Sequence, residues 1–350
     1  MAIISKKKLV YPISDNLRSY LKKYDREKKL PLEYIDLQRY NSSVPLYDVN
    51  GKDTLWETVF YPQSEMQHYH DALRLIYALM KYHGDMSVID HLYVDRIDLC
   101  VYGNTQPFRV RIVNKINDNF DYFYVKTADA SRLYGLELEH LLSPNKLGYL
   151  VYHKTLIEEH IVGIPADQFI KTRMDDPHLN KIRLAKEFVK FNERCFVRLL
   201  GDMHSSNFVV DITPDFEEVI YRLRSIDFDQ QSYEGRCSIY LPKYFKENNP
   251  IIELGMSLMT HETMRQYQRE ERSLIAQRSK IESERISDLL YAMSRDTLAP
   301  KENLRSLRKE LAHVYQDKHF LNCQSMGELV KHSLEILLEK PDLYSDQLSN

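Results

Sequence analysis

Alternating apolar and polar positions near residue 100 predict a small sheet. Three short runs rich in β-branched and aromatic residues are typical of strands, at 97–102, 108–113 and 122–126. The segments between these runs are rich in Gly, Asn, Asp and Pro, which favour turns. Because short turns join neighbouring antiparallel strands, the runs predict a mainly antiparallel sheet.

The pattern changes from strand to helix after the third run. Residues 130–142 carry their large side chains at helical spacing, and one face holds Leu133, Leu136, Glu137, His140 and Leu141. Two more apolar runs, at 147–153 and 155–161, predict strands that follow this helix.

The segment before the sheet predicts a hairpin and a helix. Asn50-Gly51 lies between the runs 44–49 and 54–61 and is a strong hairpin signal. Residues 63–83 then show helical spacing. We interpret residues 1–84 as an accessory segment packed on a β-rich part, to which we assign residues 85–165.

The remaining residues, 166–350, predict a larger and mainly helical part. A helix whose face carries Ile182, Ala185, Phe188, Val189, Asn192 and Phe196 leads to residue 200, and a hairpin at 208–224 follows it. Later helices are predicted at 251–269, 274–294, 301–319 and 325–339, with Pro300 opening the third. The chain as a whole therefore predicts an α+β fold.

Composition narrows the class of protein. The chain has 350 residues with 43% hydrophobic and 28% charged positions, which is enough for two parts with a substantial core. A net charge of −3 predicts no attraction to nucleic acid or to an anionic membrane. The four cysteines are widely spaced, and neither a signal peptide nor a long apolar span is evident. We therefore expect a cytoplasmic location, with no nucleic-acid and no membrane partner.

Two short motifs carry the candidate chemistry. Residues 201–207 read Gly-Asp-Met-His-Ser-Ser-Asn after an apolar run, and residues 226–229 read Ile-Asp-Phe-Asp after another. Magnesium takes oxygen ligands, usually one or two carboxylates together with substrate phosphates. Phosphoryl transfer needs little beyond positioning and charge neutralisation. The two motifs therefore predict a magnesium-dependent site for a nucleotide.

The motif pair resembles the protein-kinase-like superfamily, and its wording is closest to aminoglycoside and choline phosphotransferases. The resemblance implies a two-lobed fold, with a small antiparallel β lobe containing one helix and a larger, mainly helical lobe. It also implies ATP and Mg²⁺ as cofactors. Asp202 matches the catalytic base, and His204 matches the histidine that braces the loop. The magnesium ligands would be Asn207 and Asp227, with Asp229 at a second metal or beside the first.

The resemblance extends to a lysine and its acidic partner. Kinases place a lysine that contacts the α- and β-phosphates near the end of the third strand, which matches Lys126. A carboxylate within an apolar helical stripe is costly unless it is paired. We therefore expect Glu137 to pair with Lys126, with Glu139 as the alternative. A third possibility also stays open, in which Glu137 is simply a helix charge at the edge of the apolar stripe.

Residues 156–165 resemble the hinge of these phosphotransferases. In that family the hinge backbone binds adenine, which implies the Glu159 carbonyl and the Ile161 amide here. Gly163 and Pro165 suit a turn into the second lobe.

One departure bears on the function. No Gly-x-Gly-x-x-Gly lies between the first two predicted strands of the lobe, and no Ala-Pro-Glu follows residue 229. This favours a small-molecule hydroxyl acceptor over a protein. The leading hypothesis is a kinase that transfers the γ-phosphoryl group of ATP. A pseudokinase-type binding module and nucleotidyl transfer from the same fold remain the alternatives.

Overall fold

The computed structural model describes residues 8–82, 84–102, 105–215 and 219–339. The chain divides into two compact units. The first contains residues 1–129 and 147–160, and the second contains residues 130–146 and 161–350. The segment up to residue 84 thus belongs to the same unit as the strands that follow it, whereas the helix at 130–142 belongs to the second unit.

The first unit is built on a seven-stranded antiparallel sheet with the order β1-β2-β3-β4-β5-β7-β6. The strands are β1 (Ser42–Tyr47), β2 (Asp53–Phe60), β3 (Leu92–Leu99), β4 (Phe108–Asn114), β5 (Phe120–Thr127), β6 (Tyr149–Tyr152) and β7 (Thr155–Glu159). Its helices are α1 (Asp15–Lys23), α2 (Tyr34–Leu37) and α3 (Gln63–Lys81). The predicted antiparallel sheet is therefore confirmed.

The predicted hairpin around Asn50-Gly51 is also confirmed. Strands β1 and β2 pair in antiparallel register, and Gly51 has a φ of +73°, a value that favours glycine. Strand β2 also pairs with β3, through Glu57 opposite Leu99 and Thr58 opposite Asp98. The accessory segment therefore extends the sheet itself.

Strand β3 corrects one predicted boundary. It begins at Leu92 and ends at Leu99, whereas the apolar run predicted residues 97–102. The earlier half carries charges that hide the strand pattern. Asp98 is fully buried because it accepts hydrogen bonds from Thr58 (2.8 Å), Arg96 (3.0 Å) and Arg109 (2.8 Å). Buried charges that are paired in this way fit a strand interior.

The second unit contains a three-stranded sheet and eight of the described α-helices. The strands β8 (Ile164–Pro165), β9 (Phe208–Pro214) and β10 (Val219–Ser225) have the order β10-β9-β8. The helices are α4 (Ala130–Leu142), α5 (Ala166–Arg173), α6 (Lys181–Arg198), α7 (Asn249–Leu258), α8 (His261–Ile281), α9 (Ser283–Arg295), α10 (Lys301–Val314) and α11 (Met326–Glu339). None of the helices in the described ranges has the length and apolar character needed to cross a membrane.

The predicted helices at 251–269 and 274–294 are wrong in their boundaries. Three helices, α7, α8 and α9, occupy this stretch. The first break falls at Thr260, whose hydroxyl accepts a hydrogen bond from the Thr263 N–H (3.2 Å) and so caps α8. A capping residue inside an apolar pattern is easily mistaken for a helix interior position.

Helix α4 has the predicted bounds but a different environment. Every residue from Ala130 to Leu142 except His140 is buried. The apolar stripe predicted one buried face, yet the polar side chains of the other face are enclosed as well. Such side chains must be paired, and their partners define part of the site.

Candidate active site

The loop 201–207 starts from an abrupt end of α6. Leu199 has a left-handed backbone (φ 55°), and its N–H donates to the Phe196 carbonyl (3.1 Å), which ends the helix. Gly201 follows in a crowded position, where a Cβ would lie 3.1 Å from Ile239 and 3.2 Å from the Gln230 carbonyl oxygen. The sequence therefore fixes where the chain leaves the helix and how closely it passes the segment after Asp227.

Hydrogen bonds within the loop and to Ile239 fix the backbone of Asp202. This residue has φ +62°, a left-handed conformation that is uncommon for a residue other than glycine. Its N–H donates to the Ile239 carbonyl (3.1 Å), and its own carbonyl accepts from Asn207 Nδ2 (2.8 Å). The Asn207 N–H donates to the His204 carbonyl (2.8 Å), which closes the loop. Two predicted site residues, Asp202 and Asn207, are thus held together directly.

The carboxyl group of Asp202 lies in a site that opposes its ionisation. Burial raises its pKa to about 6; the nearby His204 lowers the pKa, and the negative charge of Asp227 raises it. The two motifs lie side by side, because the Gly201 N–H donates to the Gln230 carbonyl (3.3 Å) and the Ile226 N–H donates to the Asn207 carbonyl (3.0 Å). A carboxylate with a pKa close to neutrality is suited to exchange a proton.

His204 lies beside Asp202 and is itself held in place. Its Nε2 is 3.9 Å from Asp202 Oδ1, and its Nδ1 is 2.9 Å from the Ser206 hydroxyl. The imidazole ring also contacts the ring of Phe245, at 6.2 Å between centroids. Ser206 and Phe245 thus hold the His204 ring beside Asp202.

The two aspartates of the second motif share one buried cation. Arg132 of α4 is 3% exposed; its Nε donates to Asp229 Oδ1 (2.7 Å), and its Nη2 donates to Asp227 Oδ1 (2.7 Å). The Asp229 N–H also donates to Asp227 Oδ1 (3.0 Å). The guanidinium group therefore bridges the two carboxylates and balances one of their two negative charges.

The donor set at this site fits a magnesium ion in part. Asn207 supplies an amide, and the Asp227 side chain is 36% exposed. An amide oxygen and a carboxylate suit Mg²⁺ when phosphates complete its ligands. Asp229 fits the ion less well because Arg132 binds its carboxylate at 2.7 Å. Within the described ranges, no group of three or more His, Cys, Asp or Glu side chains is placed to hold a metal.

The ion pairs of Lys126 and Glu137 are not the ones predicted. Lys126 is 8% exposed, and its ammonium contacts Glu158 at 2.5 Å. Glu158 is on β7, which pairs with β5, so the contact is a diagonal pair across neighbouring strands. Glu137 accepts instead from Arg285 of α9 (2.7 Å), and it is not left as an unpaired helix charge.

The alternative partner, Glu139, has a role inside the second unit. It is 2% exposed and is bound to Arg198 of α6, and it also accepts hydrogen bonds from Ser143 (2.5 Å) and Asn145 (3.0 Å). Burial opposes its ionisation, but Arg198 and these two donors together hold its pKa below the usual range. Glu139 therefore joins α4 to α6.

The predicted adenine-binding residues fall at the boundary of the two units. Glu159 closes β7 in the first unit, where its carboxylate accepts from the Gly148 N–H (2.6 Å) and from Lys81 (2.8 Å). Ile161 belongs to the second unit and is 9% exposed. Gly163 has φ +152°, and a Cβ there would lie 2.7 Å from Val209, so glycine is required.

Two residues of this arrangement were missed by the sequence reasoning. Arg132 is the third residue of a helix in which every residue except His140 is buried, and Glu158 follows the apolar residues Leu156 and Ile157 in its strand. The argument that singled out Glu137, a charge among apolar positions that needs a partner, applies equally to both. That signal was present in the sequence, although it does not name the partner.

Comparison with known proteins found no relative of this chain among protein families or curated proteins.

Proposed function

We propose that this chain is an ATP-dependent phosphotransferase that moves the γ-phosphoryl group to a hydroxyl group of a small molecule. The observation that carries this proposal is the loop 201–207, in which Asn207 holds the left-handed Asp202 at 2.8 Å beside the charge of Asp227. A proton-accepting carboxylate next to oxygen ligands for a cation is the minimum that phosphoryl transfer needs.

In this proposal Asp202 orients the acceptor hydroxyl and takes its proton. The hydroxyl oxygen bonds to the γ-phosphorus as the bond to the β–γ bridging oxygen breaks, and ADP leaves. Asn207 and Asp227 would hold magnesium, whose chemistry there is to neutralise phosphate charge. His204 keeps the loop in position.

The proposal assigns the remaining nucleotide contacts to the first unit and the hinge. Lys126 binds the phosphates, and Glu158, which contacts the Lys126 ammonium at 2.5 Å, orients it. The Glu159 carbonyl and the Ile161 amide bind adenine. We extend the proposal to a two-lobed kinase-like arrangement, which the chain order supports: an antiparallel sheet precedes the helical unit with its loop at 201–207.

A second candidate function is a non-catalytic nucleotide- or partner-binding module. The position of Arg132 favours it, because a guanidinium bound to Asp227 and Asp229 at 2.7 Å occupies the acids that the metal would use. Under the leading proposal, Arg132 must share Asp227 with the metal, whereas under the second it replaces the metal altogether.

A thermal-shift experiment with Mg-ATP tests the proposed site. At a hundredfold excess over the dissociation constant, binding stabilises the native state by about 2.7 kcal/mol. We expect a magnesium-dependent increase in melting temperature that Asp227→Asn removes and that Asp211→Asn, a matched loss of one carboxylate on β9, retains. An unchanged melting temperature of the native protein would contradict the phosphotransferase and the nucleotide-binding form of the second function, and would leave the partner-binding form.

Labelled ATP separates the remaining candidates. Transfer or release of a label at the γ-phosphorus supports the phosphotransferase, and transfer of a label at the α-phosphorus indicates nucleotidyl transfer. Retention of both labels by a protein that binds Mg-ATP indicates the binding module. We expect γ transfer, and we expect Asp202→Asn to reduce it by roughly 100-fold or more with little change in the Mg-ATP thermal shift.

A further inference from the structure

A cavity of about 310 Å³ lies inside the second unit, between α6, α7 and the start of α8. Its volume is at the lower end of the range of about 300–1,000 Å³ found for small-molecule pockets. Its lining includes no residue of the loop 201–207 and neither Asp227 nor Asp229. The cavity is therefore distinct from the residues to which the proposed chemistry was assigned.

The wall of this cavity is mainly apolar. Phe188 of α6 and Ile251 of α7 are 4% and 0% exposed and form its inner side. Met259 and Met264 line the side near α8, and Met256, 71% exposed, lies at the rim. Methionine side chains are flexible and adapt to ligands of irregular shape. Such a wall favours an aliphatic or aromatic body.

Two of the polar side chains in the lining are used within the protein. Asn192 donates to the Phe188 carbonyl (2.7 Å) and accepts from the Lys243 N–H (2.8 Å). Gln268 donates to Glu193 (2.9 Å). These hydrogen bonds position the wall, so the ligand end group must be recognised by other side chains.

The charge of the lining has one sign. The lining includes two basic residues, Lys243 and His261, and contains no Asp or Glu. Burial lowers the pKa of Lys243, and the charge of Glu193 partly opposes this change. The Lys243 ammonium lies 5.1 Å from the ring centroid of Tyr244, another lining residue, and an anionic group beside it would favour its charged form.

We propose that this cavity binds a small molecule with an apolar body and an anionic end group, carboxylate or sulfonate, with the end group at Lys243. The size of the cavity, its apolar wall and the sign of its charge all specify this class. The proposal does not depend on phosphoryl transfer, so either can fail without the other.

Matched amphiphiles test the proposal. Decanoate, decanol and decylammonium share one chain length and differ in the charge of the end group. We expect isothermal titration calorimetry to show saturable one-to-one binding that is tightest for decanoate and weakest for decylammonium. Lys243→Met should weaken decanoate binding by about ten-fold and leave decanol unchanged.

A second pair of variants tests the location. Ile252→Trp adds volume to the cavity wall and should weaken decanoate and decanol together, whereas Ile281→Trp, at a 72% exposed isoleucine of α8 outside the lining, should not. Equal binding of decanoate and decylammonium, or equal binding by native protein and the Ile252→Trp variant, would overturn the proposal. So would the absence of decanoate binding at about 1 mM, a concentration that reveals even a weak site.

Discussion

Replacing Arg132 by methionine removes the cation that Asp227 and Asp229 share while keeping most of its volume. Arg132 is 3% exposed and donates to each carboxylate at 2.7 Å. Because both carboxylates bind the same guanidinium group, the variant leaves their two negative charges side by side. The loss should appear as reduced stability of the folded protein.

The size of this loss lies between two limits. Removing one partner of a fully buried ion pair costs about 3–5 kcal/mol, and an exposed pair is worth about 0–1 kcal/mol. The side chains of Asp227 and Asp229 are 36% and 21% exposed, so water screens the two remaining charges in part. We expect Arg132→Met to lower the free energy of unfolding by about 2–3 kcal/mol.

Urea denaturation at pH 7, followed by circular dichroism, measures this difference. Arg295→Met is the matched control, because Arg295 is exposed and lies over the ring of Tyr291; its effect should stay within about 0.5 kcal/mol. Adding Asp229→Asn to Arg132→Met should recover part of the loss, since it removes one of the facing charges. A loss below about 0.5 kcal/mol for Arg132→Met would refute the reasoning.

Three other predictions rest on single residues. The pKa of Asp202 is raised to about 6 in the folded protein. The stability that this carboxyl group contributes is therefore complete below its pKa in the unfolded chain and is lost as pH rises through 6. We expect Asp202→Asn to stabilise the protein by about 1–2 kcal/mol at pH 8 and by much less at pH 4, in paired denaturation curves. Gly327→Ala should lower the free energy of unfolding by about 2 kcal/mol or more, because its Cβ would lie 2.3 Å from the Met293 backbone. Gly255→Ala, with 3.4 Å to the nearest atom, should instead raise the free energy of unfolding by about 0.5–1 kcal/mol. Asp98→Ala should cost about 3 kcal/mol in the same assay, since it leaves two arginines without their fully buried carboxylate; a cost near zero would show that water replaces it.

The elements that the sequence predicted well are those with a local cause. Asn50-Gly51 specifies a hairpin through the backbone that its glycine allows, and the structure has that hairpin between β1 and β2. Helix α4 has the predicted bounds, 130–142, because its spacing is regular over its whole length. Strand β3 was displaced because Asp95, Arg96 and Asp98 interrupt the pattern of apolar residues.

The candidate site also contains both local contacts and contacts between residues distant in sequence. The motif predicted that Asp202 and Asn207 belong to one loop, and the hydrogen bond between them spans only five residues of that loop. The partners of Lys126 and Glu137 depend on side chains distant in sequence, Glu158 and Arg285. Charge among apolar positions predicts that a partner exists and does not identify it.

The sequence by itself determined the turns, most helices and strands, and the position of the two acidic motifs, because backbone preference and residue spacing act over a few residues. Only the tertiary structure decided that Arg132, 95 residues before Asp227, pairs with it. The same holds for the break at Thr260 and the cavity beside it, which arise where α6, α7 and α8 meet. Pairing of buried charges and the shape of a cavity are set by packing between elements distant in sequence, and no local pattern encodes them.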